Sequence, residues 1–430
     1  MSGRLVRLAL LALAAWPGAA PASAQRPVRS DACVDCHAGL ADARLSEPVR
    51  TLENDVHAAQ GFGCLACHGG AAGRQPARGF LSKPERREIP RLCGQCHSDA
   101  AFMRQFNPSM RVDQVTEYYT SVHGQRLRDL NDPDVATCID CHPPHGIRPP
   151  ADAASTVHPL NVAETCGRCH SDAPRMARYG IPTDQQEEHR RSVHGKLLYD
   201  EGDVSAPTCN DCHGNHGAVP PGVNSIRNVC GECHATMADF FGQSAHVEIF
   251  EEAGLPGCET CHGNHAIDVP TDENLATRSE QVCGECHRPG APVGSEFTVM
   301  KQLIDSLESE FDRSRAILAA AANAGMEVSQ AEFELEDVNN ALTLARNAIH
   351  SFHVEPVKQN IDEGFRITAA GFARGEAALG EHRFRRVGLG VSTLIILGLI
   401  AGLAMKIRQL EGGSGRNGGS RNDGSGGVHG

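Results

Sequence analysis

The chain has 430 residues, a formal net charge of −13, 4% aromatic residues and 18 cysteines. A surface this acidic repels polyanions, which excludes nucleic acid as a partner and suits basic docking faces on soluble proteins. So little aromatic bulk excludes a core built from large side chains alone, and no phosphate-cradling loop, flavin fingerprint or serine-type catalytic arrangement occurs.

Residues 1–24 read as a secretory signal peptide. Arg4 and Arg7 precede an apolar run, Leu8 to Trp16, that is too short to span a bilayer, and small residues end in Ala22-Ser23-Ala24. The mature chain is expected to start at Gln25 on the periplasmic side of a bacterial inner membrane.

Residues 25–292 carry nine Cys-x-x-Cys-His pentads that together use every cysteine: Cys33 and Cys36, Cys64 and Cys67, Cys93 and Cys96, Cys138 and Cys141, Cys166 and Cys169, Cys209 and Cys212, Cys230 and Cys233, Cys258 and Cys261, and Cys283 and Cys286. A lone Cys-x-x-Cys also fits half a zinc site, a thiol redox pair or a disulfide framework. None of these requires a histidine directly after the second cysteine, and here it is present each time, as His37, His68, His97, His142, His170, His213, His234, His262 and His287. Two thiols three positions apart form thioethers with the vinyl groups of one haem edge, and the adjacent imidazole reaches the iron. Nine covalently attached haem c groups are therefore expected, and porphyrin supplies the apolar interior that the side chains lack.

The pentads fall into a degenerate repeat. Ser121-Val122-His123-Gly124 precedes CIDCHPPHG and CGRCH; Ser192-Val193-His194-Gly195 precedes CNDCHGNHG and CGECH; Ser244-Ala245-His246 precedes CETCHGNHA and CGECH. An earlier, less complete unit offers His57, CLACHGG and CGQCH. Short helices carrying the pentads are expected, joined by loops such as Pro143-Pro144 and Pro220-Pro221-Gly222, with an apoprotein that is largely unfolded.

Between Cys33 and His287 nine histidines stand outside the pentads: His57, His123, His145, His158, His189, His194, His216, His246 and His265. Nine irons each need one further axial ligand if all are six-coordinate, so supply equals demand. Such an iron has no position open to substrate, which favours an electron carrier over an enzyme and leaves no residue to name as catalytic. His145, His216 and His265 follow a pentad histidine by three positions and cannot reach the far face of their own haem, so each is expected to bind a neighbouring one. His158 and His189 fall outside the repeat register, and His350 or His353 could replace either. Methionine is scarce here, so low potentials are expected.

After Pro292 no further cysteine appears, and residues 293–386 read as a helical domain. Met300, Leu303, Leu307, Phe311 and Leu318 form one stripe ending near Gly325, and Phe333, Val338, Leu342, Ala345, Ile349 and Phe352 form a second. Pro356 opens a third helix carrying Ile361, Phe365, Ala369 and Phe372. Residues 387–405 are free of charge and about as long as one transmembrane helix, with Arg383, Arg385 and Arg386 before them and Lys406 and Arg408 after. With the body exported, this helix runs outward to inward and leaves residues 406–430 as a disordered cytoplasmic tail. His382 and Glu381, beside the bilayer, could take protons from a quinol.

Residues 31–290 resemble the multihaem cytochromes c with paired CxxCH motifs, the broad group around cytochromes c3 and c7 and the periplasmic haem chains of anaerobic respiration. The resemblance implies bis-histidine haems packed in pairs. It also implies electrons passing between a membrane-embedded or quinol-linked donor and a periplasmic redox protein. Haem-rich domains followed by long helices are also similar to octahaem hydroxylamine oxidoreductases and pentahaem nitrite reductases, which would make the chain an oxidoreductase with one open haem. No CxxCK pentad is present, so a lysine-ligated catalytic haem is not supported. Tyr118 and Tyr119 stand where a tyrosine could flank a catalytic haem, but packing is their expected use.

Overall fold

The computed structural model describes residues 32–69, 83–222, 226–273, 275, 286–287 and 293–414. The signal segment, Cys283 and the tail beyond Ser414 lie outside them. The described residues are helices and irregular loops with no strand, so the chain is mainly α, with one long apolar helix at the C-terminal end. It divides into two compact units that do not follow the change of composition at Pro292: residues up to Gly222 with His262–Val269, and Val223–Cys261 with Pro270 onward.

The first unit is built from short helices that each carry one piece of a repeat. Helices α1 (Val122–Leu130) and α3 (Val193–Tyr199) follow Ser121 and Ser192, whose hydroxyls accept from the Gly124 and Gly195 amides at 2.9 and 3.1 Å. Those glycines are obligatory, because a Cβ on either would collide with the carbonyl of Tyr118 or His189. The pentad helices α2 (Cys138–Cys141) and α4 (Cys209–His213) start from capping boxes, with Thr137 and Asp140 in one and Thr208 and Asp211 in the other. Among the described residues this unit contains one small cluster of buried apolar residues, Tyr118, Leu127 and Val135 with Tyr119 against it, and a less buried ring cluster of Phe62, Phe102 and Phe106. Protein side chains do not fill it.

The second unit does have a protein core. Helix α5 (Ala235–Gly242) leaves the seventh pentad and α6 (His246–Ala253) follows it. Then come α7 (Val293–Asn323), α8 (Ser329–Leu335), α9 (Asp337–Ala348), a 3-10 turn Ile349–Ser351, and α10 (Val354–Ser414). Helix α7 buries Phe297, Met300, Ile304, Leu307, Phe311, Ser314, Leu318 and Ala321, alternating steps of three and four. Helix α10 answers with Val357, Ile361, Gly364, Thr368, Gly371, Gly375 and Ala378 in the same rhythm. Two such seven-residue repeats pack as a close helix pair, and the small residues of α10 let the backbones approach. The Ser314 hydroxyl donates to the Thr368 carbonyl across the seam at 2.8 Å.

Three expectations for this region are corrected. The third helix and the apolar span are one continuous α10, which runs on to Ser414, so the first part of the expected disordered tail is helical. Phe333 is 75% exposed, because α8 and α9 break the second stripe, and Ala369 is exposed on α10. The third helix packs through Gly364, Gly371 and Gly375 as well as through Val357, Ile361 and the half-buried Phe365. Beyond Leu379 the apolar residues of α10 are bare, including Leu394, Ile395 and Leu399, and by length and composition the helix can cross a membrane.

Candidate haem sites

Among the described residues, histidine pairs face one another at six places, each joining a pentad histidine to one outside the pentads. Ring centres are 6.0 Å apart for His57 and His97, 6.0 Å for His68 and His145, 6.1 Å for His123 and His170, 6.4 Å for His142 and His216, 6.0 Å for His213 and His265, and 6.1 Å for His246 and His287. Parallel rings stacked face to face lie closer than this, although edge-to-face rings can reach it. Two imidazoles on opposite sides of one metal, each with a bond of about 2 Å, have ring centres roughly 6 Å apart. The spacing therefore fits an axially ligated iron between each pair.

The pairs form two geometric classes. Loop histidines His145, His216 and His265 lie nearly parallel to their partners, at 12°, 18° and 15°. Helix-start histidines His57, His123 and His246 are turned by 89°, 62° and 74°. The register is regular. Each loop histidine faces the pentad two places before its own, and each of these helix-start histidines faces the second pentad of its unit. Backbone bonds lock the arrangement at equivalent points: Val56 donates to Ile147 at 2.8 Å, Val122 to Ala218 at 3.2 Å and Val193 to Ile267 at 2.8 Å.

Electrostatics suits metal binding, which needs neutral imidazole. Burial, then the facing ring, pushes His97, His123, His142, His145 and His246 below the usual histidine range. Carboxylates steady the outer ring nitrogens. Asp55 accepts from the His57 amide at 2.8 Å and lies 3.2 Å from its Nδ1. Burial opposes the charge of Asp55, but the His57 and Ile147 donors hold its pKa at about 2. Glu117 and Glu188, equivalent in the repeat, lie 3.9 Å from Nδ1 of His216 and His265. The Asp55 contact is close enough to fix which His57 nitrogen would point at a metal, whereas the 3.9 Å contacts are electrostatic only.

Thiols of successive pentads also adjoin: Cys93 with Cys138, Cys166 with Cys209, and Cys230 with Cys258. Each sulfur stands for a thioether to its own haem, so these contacts bring the attachment edges of the third and fourth, fifth and sixth, and seventh and eighth pentads together in pairs.

Two candidate ligands are engaged elsewhere. His158 caps the helix Pro159–His170, its Nδ1 accepting from the Leu160 amide at 3.3 Å. His189 directs Nε2 at the Pro207 carbonyl, 3.0 Å away, and stacks edgewise on Tyr199. Tyr118 does the same at the equivalent point, its hydroxyl donating to the Ala136 carbonyl at 2.8 Å, and burial pushes that phenol upward. Both side chains tie a helix start to a pentad. His353 is exposed and His350 half-buried. Among the described residues no second imidazole faces His37. Glu381 is paired with Arg385.

Thiol pairs beside imidazole pairs at iron-spanning distance define a haem-binding electron-transfer protein: the chain is a multihaem cytochrome c. Residues 18–69 match the family model of cytochrome c554 and c-prime. The chain is 29% identical over 284 residues to multiheme cytochrome MtrA of Shewanella baltica, covering 61% of this chain and 67% of that protein. It is 26% identical over 214 residues to C-type polyheme cytochrome OmcC of Geobacter sulfurreducens, covering 43% of this chain but about a quarter of that one, 26%. No solved structure matches.

Proposed function

We propose that the chain is a nonahaem electron conduit on the periplasmic side of the inner membrane, anchored by residues 387–405. It carries electrons between a quinol-linked membrane donor and a periplasmic redox protein in anaerobic respiration. The observation that carries this reading is the set of imidazole pairs at 6.0–6.4 Å. Each haem, when bound, supplies a one-electron ferric–ferrous couple. The chain contributes both axial imidazoles, the carboxylates that orient them, and thiols that set haem edges side by side. Imidazoles facing each other in this way would hold a haem iron from both sides, which would suit electron exchange with little rearrangement and would leave no site for a reactant.

Electron paramagnetic resonance of the haem-loaded, full-length protein tests the reading. Parallel imidazoles split the iron d orbitals, whereas perpendicular ones leave them nearly degenerate. Two low-spin populations are therefore expected, one rhombic and one strongly anisotropic, together with reduction by a quinol analogue through its membrane partner. Predominantly high-spin iron would overturn it.

His37 favours one second reading, an oxidoreductase with a single open haem at the first pentad acting on a nitrogen or sulfur compound. One equivalent of carbon monoxide bound per chain, with turnover of nitrite or hydroxylamine, would put this reading in place of the first. Absence of binding retires it.

A further inference from the structure

One helix start in the repeat carries a charge where the others carry a hydroxyl. Ser121, Ser192 and Ser244 stand two residues before His123, His194 and His246, and Asp55 holds that place before His57. Each serine donates back into its own backbone, to the carbonyl of Tyr118, His189 or Phe241. A carboxylate has no proton to give and can only accept. Asp55 collects three bonds: from the His57 amide at 2.8 Å, from the Ile147 amide at 2.9 Å and from His57 Nδ1 at 3.2 Å.

The result is a buried anion, 5% exposed, behind the imidazole that faces His97. Among the described residues no lysine or arginine pairs with it. Two other carboxylates near the facing imidazoles of this unit are matched by arginine: Arg111 binds Glu117, which lies 3.9 Å from His216 Nδ1, and Arg86 holds Asp140, near His123, at 2.6 Å. At the equivalent helix start in the second unit, the buried Nδ1 of His246 has no hydrogen-bond partner. Reducing a ferric haem adds one electron and removes one positive charge at the iron. A fixed anion bonded to the outer nitrogen of an axial imidazole makes that ligand more basic and favours the ferric state, and burial without a countercharge leaves the effect unscreened.

We propose that Asp55 is a redox-tuning residue: it sets the haem attached at Cys93 and Cys96, between His57 and His97, at a lower potential than the haem attached at Cys138 and Cys141. The inference rests on the bis-histidine reading above. The Cys93 and Cys138 thiols touch, so an electron reaching the third haem runs downhill into the fourth, and the pair has a direction. Serine starts the sister helices, so the charge is not what the helix start requires.

Asp55→Ser, which installs the residue of the sister units, should raise the midpoint potential of one haem in the full-length, haem-loaded protein. The expected change is about tenfold in its ferric–ferrous equilibrium, or about 59 mV. A redox titration followed by electron paramagnetic resonance identifies the iron. His57 and His97 are turned by 89°, so the shifted component belongs to the strongly anisotropic class. A shift confined to the rhombic class would put the effect on the haem of His68 and His145, whose ring Asp55 influences through space, and overturns the proposal. Asp55→Asn keeps the shape and removes the charge; it should move the same component upward, and it decides if the serine variant fails to load haem. An unmoved or lowered midpoint in a fully loaded variant overturns the proposal. So does loss of the third haem from both variants, which would make Asp55 a residue of assembly. High-spin iron already present in the wild-type protein is the failure of the bis-histidine reading, whereas an unmoved midpoint with every iron low-spin is the failure of this one.

Discussion

His189 stands three residues before Ser192, the place that Tyr118 holds before Ser121 and Phe241 before Ser244. In all three the serine hydroxyl donates back to the carbonyl of that residue, at 2.6, 2.6 and 2.8 Å. A position shared by imidazole, phenol and phenyl is selected for size and planarity, not for metal binding. His189→Phe should therefore leave the number of low-spin irons unchanged and cost about 1 kcal/mol of stability for the lost Pro207 bond. Magnetic circular dichroism checks the first, and a high-spin component would show that His189 is a ligand after all. The same comparison explains why residue type alone misleads here. The nine histidines outside the pentads between Cys33 and His287 equal the nine irons expected, yet the Nδ1 lone pair of His158 caps a helix.

At the scale of elements, the pentad helices are too short to be stable alone and owe their form to caps and to the groups they hold. The α7–α10 pair is different, because its seam is continuous protein packing. On α10 the seam runs through Gly364, Gly371 and Gly375. A Cβ at Gly375 would lie 2.7 Å from Ile317 Cγ2. An alanine there would gain about 1 kcal/mol of helix propensity, but a leucine must also force the backbones apart, at about 1–3 kcal/mol, so overpacking wins. Gly375→Leu should lower the thermal midpoint of the helical signal while the haem bands persist at the start of the melt. An unshifted midpoint would mean that the seam is looser than it looks. The α7 stripe was legible because its buried positions are large and apolar. The α10 stripe was not, since hydrophobic periodicity passes over glycine and threonine.

For the whole molecule, α10 sets a distance. The 33 residues from Val354 to Arg386 precede the apolar span, and a continuous helix of that length is about 50 Å long. The turn bearing His350 thus stands at the far end of this helix from the span, with the α7 seam ending near Ala378. Removing residues 387–430 should yield a soluble chain with the full haem spectrum that quinol in vesicles no longer reduces. If the truncated chain is still reduced at the original rate, the span is not what brings donor and haems together.

By itself the sequence determined the local pattern: thiol spacing and the adjacent imidazole are local, so the nine pentads, their order and the apolar span could be read directly. Which imidazoles face one another was decided only by the tertiary structure, because the ring opposite a pentad histidine comes from residues dozens of positions away. Backbone bonds such as that from Val56 to Ile147 settle which histidine arrives. Two imidazoles 6 Å apart are a property of folded space, and no count of histidines contains it.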